Sequence, residues 1–568
     1  MTRSGEEAES LMGKNFELGE MSRDEPAIMD SSKLKVNKHV QFIKTGFLVA
    51  AFVVAGYCML TMLYQKLTGG DDHKCGNSHP KVPQYFDPNP ELWPGPTATG
   101  RAPFLAQESV VPSLGPAPNK SIERLWGHLS PYSPNYEGWG IEEYPLPDGA
   151  EITQVHTLHR HGSRYPTVGV NVQGFGAKMA ILKGKFTAVG ALSFLNDWTY
   201  GLGAEIMVPS GRLQLFESGV HRYYQYGHLY VPGTKIIVRS TTQKRMRESV
   251  WNFLSGFFGL DWQDKATVGY GIEGFSTTDR WNNSLAGYDN CPNSNTFRNQ
   301  GGTNATNEWV EIYLQNATTR FNRLMSGLEF SVQDVYAMQT MCPYEFAAYA
   351  YSPFCQLFTY EEWEGFEYSI DLYFSGGSAY QSPTGRAVGL AWHQEFLARL
   401  EHHTLSFSHS QINTTLDSTT TTFPTNQSLY FDFSHDTNIM SILTSLGFTQ
   451  FSEPLSATKQ AGAHNLTVSH VTPFGARLDI EVLKTPHPVS EGRDVEAEGA
   501  ETKYIRFKLN ERTLPHPRCP LRSDGLCEME TLVKILREEE GKAMFDLACF
   551  GEYDAVPHGE LRDGHPEA

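Results

Sequence analysis

The sequence predicts an α/β domain with a mainly parallel central sheet. Three stretches carry that expectation, each reading as strand, then loop, then helix. Residues 152–158 (ITQVHTL) run into a loop at 159–166. Residues 236–238 lead to a helix in which Met246, Val250, Phe253 and Phe257 share one face. Residues 429–433 (LYFDF) lead to a helix over 438–446. Strands alternating with helices build parallel sheets, whose ligands lie beyond the carboxyl ends of the strands. The three loops are therefore expected to converge at one site. With 568 residues, 40% of them hydrophobic and 19% charged, the chain has the material for a large packed core.

Ahead of that domain the texture differs. Residues 1–44 form a charged tail, expected to be cytosolic and disordered. Residues 45–64 (TGFLVAAFVVAGYCMLTMLY) hold no charge. At about 1.5 Å per residue such a helix spans roughly 30 Å, the hydrocarbon core of a bilayer. The run sits too far from the start for a cleaved secretory signal and reads as an uncleaved signal-anchor, so the lipid bilayer is an expected partner. Lys33, Lys35, Lys38 and Lys44 precede it and Lys66, Lys74 and Lys81 follow, a small excess toward a cytosolic N-terminus. Residues 65–118 are rich in Pro and Gly and read as a stalk, with the catalytic domain over 119–568. Two polar interruptions follow: a Thr-rich loop at 413–428 and a solvated loop between strands at 487–503.

Asn119, Asn282, Asn304, Asn316, Asn413, Asn426 and Asn465 each open an Asn-x-Ser/Thr triplet, all of them after the apolar run. That one-sidedness suits a lumenal or extracellular domain, and hence a single-pass type II protein of the secretory pathway. Seven of the eight cysteines also follow the run, without metal-site spacing, and an oxidising lumen favours disulfides among them. Cys342 with Cys355, and Cys519 with Cys527, would close short loops, although spacing alone leaves the pairing open. Cys75, in the stalk, is the candidate for an unpaired thiol or for a bridge in a homodimer. The formal net charge is −18. A surface so acidic repels phosphate backbones, so no nucleic-acid partner is expected, and an anionic substrate needs a local basic pocket.

The loops supply one. Arg160-His161-Gly162-Ser163-Arg164-Tyr165-Pro166 sets two guanidinium forks around one imidazole. The forks match phosphate geometry, and their charge lowers the His161 pKa and keeps the ring neutral and nucleophilic in acid. Imidazole can take a phosphoryl group from an ester and pass it to water. Ser434-His435-Asp436-Thr437-Asn438 opens a helix, whose N-terminus favours anions. There His435 can hold a phosphoryl oxygen and Asp436 can protonate the leaving alcohol. Arg239 comes right after the second strand in VRSTTQKRMRES and completes a phosphate-binding set. Three arginines, two histidines and one carboxylate transfer phosphoryl groups with no metal and no cofactor.

The chain resembles the histidine acid phosphatases, the branch of the histidine phosphatase superfamily that includes the fungal phytases. The resemblance rests on RHGSRYP at 160–166 and HD at 435–436. RLWGHLSPYSP at 124–134, YSPFCQLFTYEEW at 351–363 and CPLRSDGLC at 519–527 extend it over roughly 122–550. It implies a histidine-phosphatase-like sandwich with a mostly helical insertion between about 167 and 425. It implies His161 as nucleophile, Arg160, Arg164, Arg239 and His435 as phosphate ligands, and Asp436 as proton donor. It also implies the disulfides Cys342–Cys355, Cys519–Cys527 and Cys291–Cys549. The expected activity is acid phosphatase, hydrolysing small phosphomonoesters and favoured below pH 6. Hydrolysis of inositol hexakisphosphate is the enzymatic alternative. Residues 167–177 (TVGVNVQGFGA) lack the lysines that one type of fungal phytase carries there, which weighs against that alternative.

Other readings are weaker. A phosphatase-fold protein that binds without turnover would not need RHGSRYP and HD complete, and a sugar-phosphate mutase would be cytosolic. His156, His159 and His161 suggest a metal triad. In a strand, however, His159 and His161 share one face while His156 points to the other, and Arg160 and Arg164 oppose a cation.

Overall fold

A computed structural model of the protein describes residues 121–273 and 282–566. The charged tail, the apolar run at 45–64, the stalk with Cys75, and Asn119 lie outside the described residues. Among the described residues no helix is long and apolar enough to cross a membrane.

Eight strands make the central sheet: β1 (Glu151–Arg160), β2 (Ile236–Thr241), β3 (Ala266–Gly271), β4 (Leu429–Ser434), β5 (Arg477–Thr485), β6 (Thr502–Leu509), β7 (Arg512–Thr513) and β8 (Cys527–Glu528). Their spatial order is β8-β6-β5-β1-β4-β2-β3, with β7 paired to β6. Helices of eight residues or more are α1 (Asn171–Leu182), α2 (Pro209–Tyr226), α3 (Lys244–Phe258), α4 (Gly301–Tyr313), α5 (Gln315–Asn322), α6 (Val332–Tyr349), α7 (Tyr360–Ser378), α8 (Gly385–Leu400), α9 (Asp436–Ser445) and α10 (Met529–Glu540).

The three stretches picked out by hydrophobic pattern all become strands of this sheet. β1, β4, β2 and β3 run parallel, as expected. Beyond β1 the sheet changes sense: β5, β6, β7 and β8 pair antiparallel, so the sheet as a whole is mixed. The cause lies in the connections. Parallel neighbours need a long crossover, here helical, whereas β5 and β6 are joined by the polar loop at 486–501 with no helix to carry the chain back.

β1 is the central strand and is buried on both faces from Val155 onward. On one face Val155, Phe431 and Phe433 share a core with Leu215 of α2 and with Val250, Phe253 and Phe257 of α3. On the other, Leu158, Leu478 and Ile480 share a core with Trp392 and Phe396 of α8 and with Ile439 and Leu443 of α9. Burial of each such side chain contributes about 1.5–3 kcal/mol, which makes this double-sided core the main stabilising term.

The expected helical insertion is not one unbroken excursion. Within 167–425, β2 and β3 belong to the central sheet and α2 and α3 cover its face. The helical layer is built instead from two separate excursions, one carrying α1 and one carrying α4 to α7. They meet in an aromatic core where Phe175 lies 5.8 Å from Trp198, and Trp198 lies 5.3 Å from Phe354, between ring centroids. All three implied disulfides are present: Cys342–Cys355 in the helical layer, Cys519–Cys527 beside β8, and Cys291–Cys549, which ties the helical layer to the C-terminal segment.

Candidate active site

β1 and β4 are adjacent and parallel, and Arg160 stands opposite Ser434 in their register. The RHGSRYP loop and the His435-Asp436 turn therefore leave the sheet side by side. The strand extends through Arg160, so His159 and Arg160 are strand residues rather than loop residues. Gly162 is required where the loop passes α2: a Cβ there would sit 2.3 Å from the carbonyl oxygen of Gly211. The loop is stitched to the approach to α2 by Tyr165 N–H donating to Ile206 O (2.9 Å) and Val208 N–H donating to Ser163 O (3.1 Å).

His161 is buried, and its Nδ1 lies 2.9 Å from the Gly162 carbonyl oxygen. A carbonyl only accepts, so Nδ1 carries the proton and the Nε2 lone pair is left for attack. Burial, then Arg160, Arg164, Arg245 and His435, hold the ring well below the usual histidine range, hence neutral in acid. The His435 ring stands edge-on to it, 5.7 Å between centroids.

Arg160 is fully buried. Its Nη2 donates to Asp436 Oδ2 at 2.5 Å, its Nη1 donates to the carbonyls of His128 and Thr472, and its guanidinium lies over the Phe474 ring at 4.5 Å. Burial draws its pKa down to about 10, which still leaves it charged. Arg164 donates through Nη1 to Tyr165 O at 2.9 Å. The Nε–H groups of Arg160, Arg164 and Arg245 are all buried, and none has a hydrogen-bond partner among the described residues. Buried donors left unpaired are costly, and the charges of the same three arginines act on the His161 ring, so the site suits an anion.

Asp436 is the first residue of α9, and its Oδ1 accepts the Thr437 N–H at 2.8 Å. Burial alone would raise its pKa. Arg160, with His128 and Arg164, outweighs burial and holds the carboxyl well below its ordinary value. His435 Nε2 lies 2.6 Å from Glu273 Oε1. Glu273 also accepts from Thr241 Oγ1 (2.9 Å) and the Tyr288 hydroxyl (3.1 Å).

The structure thus brings together Arg160, His161, Arg164, His435 and Asp436, and it corrects the sixth expectation. Arg239 lies within β2, its side chain on the α8 face of the sheet. There Nε and Nη2 bind the two carboxylate oxygens of Asp432 at 2.8 and 2.7 Å, and Nη2 also meets Glu395 at 2.7 Å. Its charge is spent in that pair. The third arginine facing His161 is Arg245, in the first turn of α3 beyond the end of β2. Arg245, Glu273 and His128 were all missed from sequence. The first two follow the carboxyl ends of β2 and β3, where the rule used for the loops already pointed. His156 and His159 part as strand alternation requires: His156 stacks on Tyr430 (4.5 Å), and His159 stacks on Phe433 (5.5 Å) and bonds Ser218 Oγ (2.8 Å).

The chain is similar to known proteins. Phytase A of Arthroderma benhamiae is 29% identical over 447 residues, 77% of this chain and 94% of its own. A phytase A of Aspergillus terreus is 30% identical, covering 72% of this chain and 87% of its own. An acid phosphatase of Schizosaccharomyces pombe is 28% identical, covering 74% and 89%. Among solved structures, the phytase from D. castellii superposes with a TM-score of 0.61 at 23% identity, over 77% of this chain and 89% of that one, a likeness of fold. The family model of branch 2 matches residues 151–510, from the first residue of β1 to just past β6. The segment spans the RHGSRYP and His435-Asp436 loops and the central strands that carry them, and the chain belongs to the histidine phosphatase superfamily, branch 2.

Proposed function

We propose that the protein hydrolyses phosphomonoesters through a phosphohistidine. The observation that carries this reading is His161, its Nδ1 tied to a carbonyl and its ring faced by three arginines with unpaired, buried Nε–H groups. The phosphoryl oxygens sit among Arg160, Arg164, Arg245 and His435. His161 Nε2 attacks in line: the N–P bond forms, the ester P–O bond breaks, and the leaving oxygen takes the proton of Asp436. Water then attacks phosphorus, Asp436 accepts its proton, and the P–N bond breaks to release phosphate.

Asp436 must be protonated for the first step, although Arg160 holds it ionised in the free protein. A bound phosphoryl dianion competes for the Arg160 charge, lies close to the carboxylate, and drives its pKa back up. The first step is therefore favoured in acid, with an expected optimum below pH 6. The test follows phosphate release from an aryl phosphate at pH 3–8, with acid-stable controls and alkaline trapping of the phosphorylated protein. Wild-type protein should label on histidine. A His161→Ala protein that still turns over would sink the assignment.

Phytate hydrolysis is the second reading, supported by the relatives named phytase A. Against it stands the segment 167–177, which holds no Lys or Arg for further phosphates. Phytate placed in the same assay decides between them.

We also propose that residues 45–64 anchor the protein as a type II membrane protein whose catalytic domain faces the lumen or exterior. The uncharged run and the one-sided Asn-x-Ser/Thr triplets support this. Of the described triplets, Asn282, Asn304, Asn316, Asn426 and Asn465 are exposed and Asn413 is half-buried, so most are open to modification. Retention in the pellet after alkaline extraction and a mass shift with endoglycosidase are expected. A Cys75-linked homodimer would appear on a non-reducing gel and vanish in Cys75→Ser.

A further inference from the structure

Glu205 belongs to neither motif, yet it touches three parts of the site. Its φ is +66°, and Ile206 N–H donates to Ala204 O at 2.8 Å, closing a three-residue turn around it. A γ-turn with positive φ is the rare and strained form, and glycine would adopt it at less cost. The turn is fixed to the RHGSRYP loop on both sides, by Glu205 N–H to Pro166 O (3.0 Å) and by Tyr165 N–H to Ile206 O (2.9 Å). The side chain divides its oxygens: Oε1 accepts the Val168 N–H at 2.9 Å, and Oε2 accepts Arg245 Nη1. The strained backbone therefore presents a carboxylate to the arginine that sequence reasoning missed, and strain held at such a place invites a functional explanation.

Arg245 needs such a partner. Its side chain has many rotatable bonds, it lies among the positive charges of Arg160 and Arg164, and its Nε–H stays buried and unpaired. A carboxylate on one Nη anchors the far end of the guanidinium, removes its rotamer freedom in advance, and leaves Nε–H for another acceptor. We propose that Glu205 is a positioning residue that holds Arg245 in its phosphate-binding pose and tunes how tightly the site grips the phosphoryl group. This rests on the phosphatase reading above. A phosphoryl group is gripped in the ground state and transition state alike, so the loss falls on KM and on inhibition by inorganic phosphate more than on kcat.

The test is a double-mutant cycle in the full-length protein, with Glu205→Gln, Arg245→Ala and the double variant. Glu205→Gln keeps the Val168 contact and removes the charge. It should raise KM for an aryl phosphate and the inhibition constant for inorganic phosphate together, by about 10–100-fold, the loss of one charge-assisted hydrogen bond. In the Arg245→Ala background it should add nothing. Glu205→Gly, which suits the turn, should show the same loss with the fold intact, so a poorly folded Gln variant does not end the test. Wild-type KM and phosphate inhibition in either folded variant overturn the proposal, as does a loss that persists undiminished without Arg245. Wild-type protein that neither hydrolyses phosphomonoesters nor binds phosphate instead fails the phosphatase reading.

Discussion

Replacing Asp436 by Asn keeps the side chain's shape and removes both its proton and its charge, which gives two separable effects. The first is chemical. A general acid contributes about 10²–10⁴ in rate, or about 2.7–5.4 kcal/mol of barrier. An alkyl phosphate, whose alkoxide must be protonated as it leaves, should lose that much in kcat/KM. A nitrophenyl phosphate, whose phenolate leaves unaided, should lose far less. The second effect is structural. Arg160 is fully buried and gives Nη2 to Asp436 at 2.5 Å. Removing one member of a buried pair costs about 3–5 kcal/mol. Phosphate can return the missing negative charge, and at a hundred times its Kd should restore about 2.7 kcal/mol. Because the Asp436 pKa is depressed, its stabilising contribution is present above about pH 3.9 and fades as pH falls below that. The gap in stability between wild type and variant should narrow accordingly. Steady-state kinetics on the two esters and denaturant unfolding with and without phosphate read both effects. Equal losses on both esters would refute the proton-donor role, and unchanged stability at pH 6 would refute the pairing argument.

Three further outcomes are expected. Gly162→Ala forces a methyl to within 2.3 Å of Gly211 O and 2.6 Å of Leu215 Cδ2, so about 1–3 kcal/mol of stability should be lost together with activity, read by unfolding and turnover. Arg239→Met leaves Asp432 and Glu395 short of a cation and should lower stability by about 3–5 kcal/mol, while folded protein keeps its KM; a KM rise like that of Arg245→Ala would restore Arg239 to the phosphate site. Burial, then the neighbouring Glu395, pushes the Asp417 carboxyl up to about 8, so the folded chain keeps a proton that the unfolded chain releases. Its contribution is greatest below about pH 3.9 and is lost as pH rises toward 8, and Asp417→Asn should flatten that part of the stability–pH curve.

What could be read from sequence follows from how local the signals are. RHGSRYP and HD carry their chemistry within a few residues, and each directly follows a short stretch that reads as a strand, so both loops and their meeting place were legible. Met246, Val250, Phe253 and Phe257 fell on one buried helix face because that pattern needs no tertiary information. Arg239 and Arg245 could not be ranked by charge. What separates them is a partner: Asp432, 193 residues away, faces Arg239 only once β2 and β4 are neighbours. The sense of β5 and β6 was likewise hidden, since an apolar strand reads the same in either direction. The loop at 486–501, polar and without a helix, held the clue that no parallel crossover was available. Glu205 gave no signal at all, because its importance lies in a backbone angle.

The place of β1 in the sheet also governs how the protein is made. β1 is among the first segments of the domain to be synthesised, yet its two neighbours are β4 and β5, which begin at Leu429 and Arg477. At about 5–20 residues per second, β1 waits roughly 13–54 s for its first hydrogen-bonding partner. Throughout that interval a strand destined for the middle of the sheet has two open edges, the condition that invites pairing with other chains. The central strand of the nascent chain therefore stays without its native partners until β4 has been made, late in translation. The same delay keeps the two halves of the active centre apart, so no phosphatase chemistry can begin on an unfinished chain.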